Sequence, residues 1–460
     1  MSMRIAVCIR QGLDGEISPF DACAYEEALK IDGAEVILVS MGAPSVSDLL
    51  LKLTRLGAKK AVLLSDKAFA GADTLATAYA LSLAIKKLSP DLVFCGRQTL
   101  VGDTAQTPVM LGQMLGYGMI TNVMSIDSLT DSNIVCTTRT EGQTEARLPT
   151  LVTVERINTL RMPRLRSKLG VLETWNAEDV GADLSRCGLK GSPTRVLKTF
   201  ENQSGKRKCT FISRDKLEWA VEEGLKRSEE QAYAETENNG EKLSKVFTVT
   251  DAPMDFAKTI SDNVTDIGFA EAEEIAERIK RDAPDAVIWG SDTRSKRLSS
   301  QVAAILGLGL CADCTHLECV DGELVMYRPA LSGSIIAKIK SLTRPAMATV
   351  RTNGGDKNRI MIGVGFGAKD SIRKAKELCE TLGAELCASR KLVDNGYASY
   401  DMQVGLTGKV ASPSLYVAIG ISGAVHHIVG MERSGTVIAI NPDKNAPIFE
   451  YADFGIVDEF

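Results

Sequence analysis

The chain has 460 residues, too many for one core, and two to four domains of about 100 to 200 residues each are expected. Its 54 basic and 59 acidic residues leave a formal net charge of −5, which offers no broad basic field for nucleic acid or an anionic membrane surface. No apolar run approaches the roughly 20 residues of a membrane span, so an integral membrane protein is excluded as well. Residues 3–9 (Met3-Arg4-Ile5-Ala6-Val7-Cys8-Ile9) read as a first strand and not as a signal peptide, so the expected location is cytoplasmic. Eleven cysteines scattered through apolar segments, among them Cys8, Cys95 and Cys387, suit a reducing compartment better than a disulfide framework.

Apolar runs of strand length at 5–9, 36–40, 61–64 and 92–95 alternate with helical patterns at 25–31 and 75–88. That alternation predicts an α/β fold with a parallel sheet flanked by helices. Pro90-Asp91-Leu92-Val93-Phe94-Cys95-Gly96 lies over Pro284-Asp285-Ala286-Val287-Ile288-Trp289-Gly290, and each is followed by a loop and a helix ending in Leu-Gly. Two related domains are therefore expected. The interval from Gly96 to Gly116 exceeds that from Gly290 to Gly307 by three residues and contains Gly102-Asp103-Thr104-Ala105-Gln106. Glycine, the Thr104 hydroxyl and Gln106 at the start of a helix suit an anion on the helix dipole, so only the first copy is equipped for phosphate. Asp103 is better suited to capping or to a ribose or amine contact.

Leu160-Arg161-Met162-Pro163-Arg164-Leu165-Arg166 sets cations around a leucine, the composition of a solvated loop. Residues 204–245 are rich in charge and contain the turn signal Asn238-Asn239-Gly240, as expected of a joint spanning residues 196–245. Cys311-Ala312-Asp313-Cys314, with His316 and Cys319, has metal-ligand residue types, but no partner motif exists and packing is the favoured reading.

Toward the C-terminus, a strand at 359–362 runs into Gly363-Val364-Gly365-Phe366-Gly367-Ala368, a weak dinucleotide fingerprint. Glu385 begins the next strand where an acidic residue should end it, so no NAD site is read there. Buried strands are expected at 415–421 and 436–440, with Gly420-Ile421-Ser422-Gly423-Ala424 letting the backbone approach a ligand. Two of the chain's three histidines, His426 and His427, follow directly.

Ser389-Arg390, Gln403-Val404-Gly405-Leu406-Thr407-Gly408, Gly420-Ile421-Ser422-Gly423-Ala424 and Ala439-Ile440-Asn441 together closely resemble the FAD-binding domain of the electron transfer flavoprotein alpha subunit. Pro19-Phe20-Asp21, the loop 96–106 and Gly191-Ser192-Pro193 resemble the beta subunit. The resemblance implies two adenine-nucleotide-hydrolase-like parallel-sheet domains and a Rossmann-like FAD-binding domain: a beta-like domain at 1–195, the joint at 196–245, a shortened alpha-like domain I at 246–351 and the FAD domain at 352–460. It implies FAD near Gly365, Phe366, Gly367, Ser389, Arg390, Gln403, Val404, Leu406, Gly420 and Gly423. Thr407 would face the flavin N5 and His427 its O2, Gly405, Ser422 and Ala424 would hold the ring and ribityl chain, and Asn441 and Asp458 would lie along the adenosine. A second nucleotide, AMP or FAD, would sit on Cys8, Ser18, Phe20, Asp21, Met41, Gly102, Asp103, Thr104, Gln106 and Thr107. Leu165 would enter a pocket on a partner dehydrogenase, with neighbouring arginines steering the encounter.

The implied function is electron transfer through FAD between a dehydrogenase and an acceptor oxidoreductase. An NADH-oxidising, electron-bifurcating protein with two FAD is the alternative, and a nucleotide-binding module without redox activity is a third reading. The resemblance also admits a homodimer. The sequence departs from the family at Gly365-Phe366-Gly367, where an arginine is usual between the glycines, and its loss implies a lower flavin potential. It departs again at Thr107-Pro108, at Ser167-Lys168-Leu169-Gly170, and in entering domain I only near Val246.

Overall fold

A computed structural model describes every residue except 1–2, 13, 100–101, 103, 202–205, 235–239, 251–252, 331–334, 351–359, 400–401, 406–410, 412 and 433, together with the side chains of 201 and 228–234. The chain forms two compact units. The N-terminal unit comprises Met1–Thr199, Gly240–Leu331 and Ile336–Arg351; the C-terminal unit comprises Phe200–Asn239, Ser332–Ile335 and Thr352–Phe460. No helix among the described residues is long and apolar enough to cross a membrane.

The first copy of the repeat is built on β1 (Arg4–Cys8), β2 (Glu35–Met41), β3 (Lys60–Leu64), β4 (Leu92–Gly96), β5 (Gly118–Leu129), β6 (Asn133–Thr138), β7 (Gly142–Arg147), β8 (Thr150–Val154) and β9 (Val171–Trp175). They form one sheet in the order β7-β6-β5-β8-β4-β1-β2-β3-β9. The central strands β1, β4 and β8 pair in parallel and are covered by helices on both faces, which is why they are mostly apolar and almost wholly buried. After β9, β10 (Thr194–Glu201) leads out of this sheet.

The second copy contains β12 (Val246–Thr248), β13 (Val264–Asp266), β14 (Ala286–Trp289), β15 (Leu310–Cys314) and β19 (Ala346–Val350), in the order β13-β12-β14-β19-β15. Its quartet β12-β14-β19-β15 has the pairing of β1-β4-β8-β5, which is the internal repeat in three dimensions. The shortened domain therefore completes its sheet with two three-residue strands, and among the described residues no strand takes the place of β3. Antiparallel β16 (His316–Val320) and β17 (Glu323–Ala330) continue with β18 (Ile335–Ser341) into a four-stranded sheet with β10.

Ten residues, 97–106, separate β4 from the helix Thr107–Leu115, against three, 290–292, between β14 and the helix Thr293–Leu306. The loop is thus longer than the three extra residues imply, because the first helix also starts later. Pro108 accounts for this: it suits the first turn of a helix, where its missing N–H has no intrahelical partner to lose.

In the C-terminal unit β20 (Ile360–Val364), β21 (Glu385–Ala388), β22 (Leu415–Ile419), β23 (Thr436–Ile440) and β24 (Phe454–Ile456) form a parallel sheet, with β11 (Thr210–Phe211) added beside β24. Reading from β21, the order is β21-β20-β22-β23-β24-β11. The segment expected as a charged joint is therefore corrected: most of it is part of this unit. Beneath its charges the helix Leu217–Ala234 carries Leu217, Ala220, Val221, Gly224 and Leu225 at helical spacing, and that face packs on β22 and β23. The Thr436 hydroxyl donates to the Gly224 carbonyl at 2.9 Å, and a Cβ on Gly224 would press on Thr436 and Leu415.

Arg207 fastens the start of this added segment. Its guanidinium pairs with Asp453 and donates to the carbonyls of Glu432, Ser434 and Gly435, the last at 2.9 Å. Arg207→Ala leaves those half-buried acceptors without a donor and should destabilise the C-terminal unit by about 3 kcal/mol, read as a lower urea midpoint for that unit in the full chain.

Candidate functional site

Two groups of candidate residues assemble, one in each unit. In the C-terminal sheet the strand order reverses between β20 and β22, and ligands of such sheets bind at the carboxyl edge beside that reversal. The residues expected around FAD sit on this edge. Gly365, Phe366 and Gly367 follow β20; Ser389 and Arg390 follow β21; Gly420, Ser422, Gly423 and Ala424 follow β22; Asn441 follows β23 and Asp458 follows β24. Gln403 and Val404 join through a parallel bridge of Gln403 to Ala388 and a bond from the Val404 N–H to the Ala388 carbonyl at 2.9 Å. Leu406 and Thr407 lie outside the described residues.

The glycines at this edge also have a packing role. A Cβ on Gly365 would strike the Gly420 carbonyl, and one on Gly420 would strike Ala368, so these glycines let two loops cross. Gly363 is inside β20, and any side chain there would overlap the Tyr416 hydroxyl. The space it leaves admits a buried polar contact: the Tyr416 hydroxyl meets His427 Nε2 at 3.0 Å and the Cys387 thiol at 3.5 Å.

Burial lowers the His427 pKa to about 4, against the opposing effect of the backbone at Val404, so the imidazole is neutral near pH 7. Its Nδ1 is buried without a hydrogen-bond partner, as is the Ser389 hydroxyl at the end of β21. Buried polar atoms of this kind are rarely left unmet, and two of them at one sheet edge fit a polar ligand held there. Neighbouring His426 is exposed. Asn441 is engaged on both sides of its amide, donating to the Ile421 carbonyl at 2.9 Å and accepting from the Asp443 N–H at 2.9 Å, and so fixes the loop after β22. Arg390 pairs with Asp394 and Asp458 with Arg214, both at the surface.

Phe366 stands where a cation was missed in the sequence, yet positive charge is present. Lys391 Nζ lies 4.6 Å and Lys369 Nζ 5.3 Å from its ring centroid, and Tyr397 meets the ring edge-on. Neither lysine was legible as a site residue, because each is an ordinary charge of a solvated helix or turn.

The second group opens on a cavity of about 980 Å³ inside the N-terminal unit. Cys8, Asp21, Met41, Gly102, Thr104, Gln106 and Thr107 line it as expected. Ser18 and Phe20 do not: Phe20 is core, and Ser18 opens the helix Pro19–Leu29, its carbonyl accepting from the Ala22 N–H. Asp103 lies outside the described residues. Asp21 ties β1 to β4 by accepting the N–H groups of Arg10 at 2.8 Å and Gly96 at 3.1 Å. Burial nonetheless pushes its carboxyl up to about 7.

Gln106 supplies the open donor of this cavity. Its Oε1 accepts from the Thr74 hydroxyl at 3.2 Å, which orients the amide, and its buried Nε2 has no partner. Sequence reasoning missed the wall supplied by the second copy: Leu310, Cys311, Ala312, Arg328 and Ile339. Arg328 carried a signal, being a lone arginine in the apolar strand β17, where it is buried and donates to the Gly102 carbonyl at 3.0 Å.

The loop at 161–166 is exposed as expected, with Leu165 almost fully in solvent. Arg161 is not a steering charge, however, because Glu26 holds its guanidinium and its backbone N–H.

A family described as the electron transfer flavoprotein domain matches residues 5–180 and 263–375, and one described as the electron transfer flavoprotein FAD-binding domain matches residues 356–432. Protein FixA of Azorhizobium caulinodans is 40% identical over 223 residues, covering 44% of this chain and 79% of the relative. Electron transfer flavoprotein subunit alpha of Thermoanaerobacterium thermosaccharolyticum is 35% identical over 270 residues (48% and 81%), and subunit beta of Clostridium acetobutylicum is 38% identical over 201 (42% and 78%).

The neutral His427 has a pH signature. Its pKa is lowered on folding from 6.5 to about 4, so the unfolded chain binds the extra proton between those values. Its contribution to stability is complete above pH 6.5 and is lost as pH falls toward 4, by roughly 3 kcal/mol. Urea midpoints of the C-terminal unit should fall over that window in the wild type and fall less in His427→Gln.

Proposed function

Because the chain belongs to the electron transfer flavoprotein family, with beta-like and alpha-like portions fused in one polypeptide, we propose that it passes electrons from a dehydrogenase to an acceptor oxidoreductase through FAD at the carboxyl edge of the C-terminal sheet, and that the N-terminal cavity holds a second FAD. When bound, FAD takes up and releases the electrons. The protein's own part is to hold and tune it. Ser389 and His427 offer hydrogen-bonding atoms without a protein partner, and the Tyr416 contact fixes the imidazole that presents Nδ1. Lys369 and Lys391 hold positive charge near Phe366, which favours uptake of negative charge at this edge.

The observation that carries the second FAD is the size of the cavity. At about 980 Å³ it stands at the upper end of the ~300–1,000 Å³ usual for small-molecule sites, and AMP is only the adenosine half of FAD. Gln106 and the loop around Gly102 would take the phosphates, and the wall from the second copy would flank the remainder. A second reading is that the chain itself oxidises NADH at the cavity flavin, with Arg328, which lines the cavity beside Gly102, offering a guanidinium to a phosphate.

Extraction of the purified chain should yield two FAD and no AMP per polypeptide. Gly102→Val combined with Gln106→Leu should leave about one FAD and abolish any anaerobic bleaching by NADH. An AMP site would instead leave the flavin content unchanged and lower only thermal stability. Separately, Phe366→Arg should raise the midpoint potential of the retained flavin in spectroelectrochemistry; an unchanged or lower potential would mean that this side chain does not face it.

A further inference from the structure

The second copy of the repeat has a concave site of its own. A groove of about 430 Å³ lies within the N-terminal unit, on the helices Ala272–Asp282 and Thr293–Leu306 of that copy, and Gly116, Tyr117 and Met119 of the first copy wall it.

Strand register identifies what this groove is. Met119 pairs with Leu151 and Leu151 with Val93, just as Leu310 pairs with Met347 and Met347 with Val287, so Met119 and Leu310 are counterparts. Leu310 walls the large cavity of the first copy and Met119 walls the groove of the second, so each copy closes the other's site in the same way. The helices agree. Gly116 and Gly307 end their helices in the left-handed region, at φ 69° and 68°, and counting back from these glycines sets Arg297 at the position of Gln106 and Arg294 at that of Asp103. Glu271, which opens the helix Ala272–Asp282, likewise takes the place of Asp73, which opens the helix Thr74–Leu88 and lines the cavity. The second copy lacks the glycine loop, yet it carries two guanidiniums where the first has a carboxylate and an amide.

What the groove has lost limits its ligand. Cys8, Cys95 and Gly96 line the cavity at the ends of β1 and β4, but no lining residue of the groove comes from the ends of β12 or β14, and fully buried Trp289 stands at the position of Cys95. Only the surroundings of Gln106 have an equivalent, which leaves no room for a dinucleotide. The charges that remain are kept apart. Arg294 is exposed against the Phe269 ring, 4.3 Å from its centroid, and has no carboxylate partner among the described residues. Arg297 pairs with Glu141 of the first copy at 3.3 Å. On the other helix Glu273 accepts from Gln113 Nε2 at 3.3 Å, and Gln113 Oε1 accepts from Gln301 at 3.1 Å. Among the described residues no ion pair joins either arginine to Glu271 or Glu273, although all four line the groove.

We infer that this groove binds a small phosphomonoester carrying free hydroxyl groups, a ligand of sugar-phosphate size, with its phosphate on Arg294 and Arg297 and its hydroxyls on Glu271 and Glu273. Guanidiniums one helical turn apart match the oxygens of a phosphate with forked N–H donors. Carboxylates accept hydroxyl hydrogens and repel further negative charge, so they select against a bare polyphosphate. The volume falls in the lower part of the ~300–1,000 Å³ range of small-molecule sites, below that of the first copy's cavity.

The test is calorimetric titration of the native full-length chain with glucose 6-phosphate in about 0.15 M KCl, which screens non-specific attraction, with inorganic phosphate and glucose titrated as the two halves of the probe. Glucose 6-phosphate should bind saturably at one site per chain, about tenfold tighter than inorganic phosphate, and glucose should not bind. Arg294→Gln, a change at an exposed side chain, should weaken binding of glucose 6-phosphate about tenfold with the urea midpoint unchanged. Glu271→Ala should weaken glucose 6-phosphate while leaving inorganic phosphate as it was. The cavity variant carrying Gly102→Val and Gln106→Leu should bind like the wild type. Absence of saturable binding, equal affinity for glucose 6-phosphate and inorganic phosphate, or undiminished binding in Arg294→Gln overturns the proposal. Loss of binding in the cavity variant puts the phosphate in the first copy's cavity and overturns it too.

Discussion

Because each parallel strand returns through a crossover, successive strands end at the same edge, and the loops leaving those ends are the backbone left free to approach a ligand. Both candidate sites of this protein follow from that constraint. The loops after β20, β21, β22, β23 and β24 meet at one edge of the C-terminal sheet, and those after β1, β2 and β4 meet around the cavity of the N-terminal unit. Residues from Gly365 to Asp458 span nearly a hundred positions, yet they become neighbours of one edge for a topological reason.

Side chains near each site show how such an edge is stiffened. Asp21 accepts N–H groups from the loop after β1 and from the end of β4; Asn441 bonds the loop after β22; Thr74 turns the Gln106 amide; Tyr416 fixes His427. Asp21 and Asn441 spend both polar atoms on the protein, whereas Gln106 and His427 each spend one. At Gln106 and His427 a second atom remains buried without a partner. Because an unmet buried donor or acceptor costs about 1 to 3 kcal/mol, such atoms make sense where a bound group completes them. A neutral His427 follows from the same burial, so it acts as a hydrogen-bonding group and not as a charge.

The duplicated α/β domain shows how one topology acquires different uses. The quartet of parallel strands is common to both copies, while the loops after β4 and β14 differ in length and in what they carry. The first copy builds a glycine-containing loop that brings Gly102 and Gln106 to the cavity, and the second contributes a wall and the bulged β15. Loss of strands from the second copy leaves this quartet intact, which explains how a shortened domain still closes its sheet.

The amino-acid sequence alone determined the α/β class, the repeat and the relation to flavoproteins, and it named many of the residues that the fold gathers at the two candidate sites, because these depend on local periodicity and on compact motifs. Glycines were legible as necessary but not for what they avoid: Gly363 makes room for Tyr416, more than fifty residues away, and Gly365 meets the loop at Gly420. The amphipathic helix Leu217–Ala234 was hidden because its charges outnumber the five positions that bury it, and only the sheet shows which face matters. Tertiary structure also decided that Phe20 is core, that Arg161 is held by Glu26, and that Arg328 lines the same cavity as Cys8. These facts rest on strand order and register, which bring together residues whose separation along the chain carries no local signal.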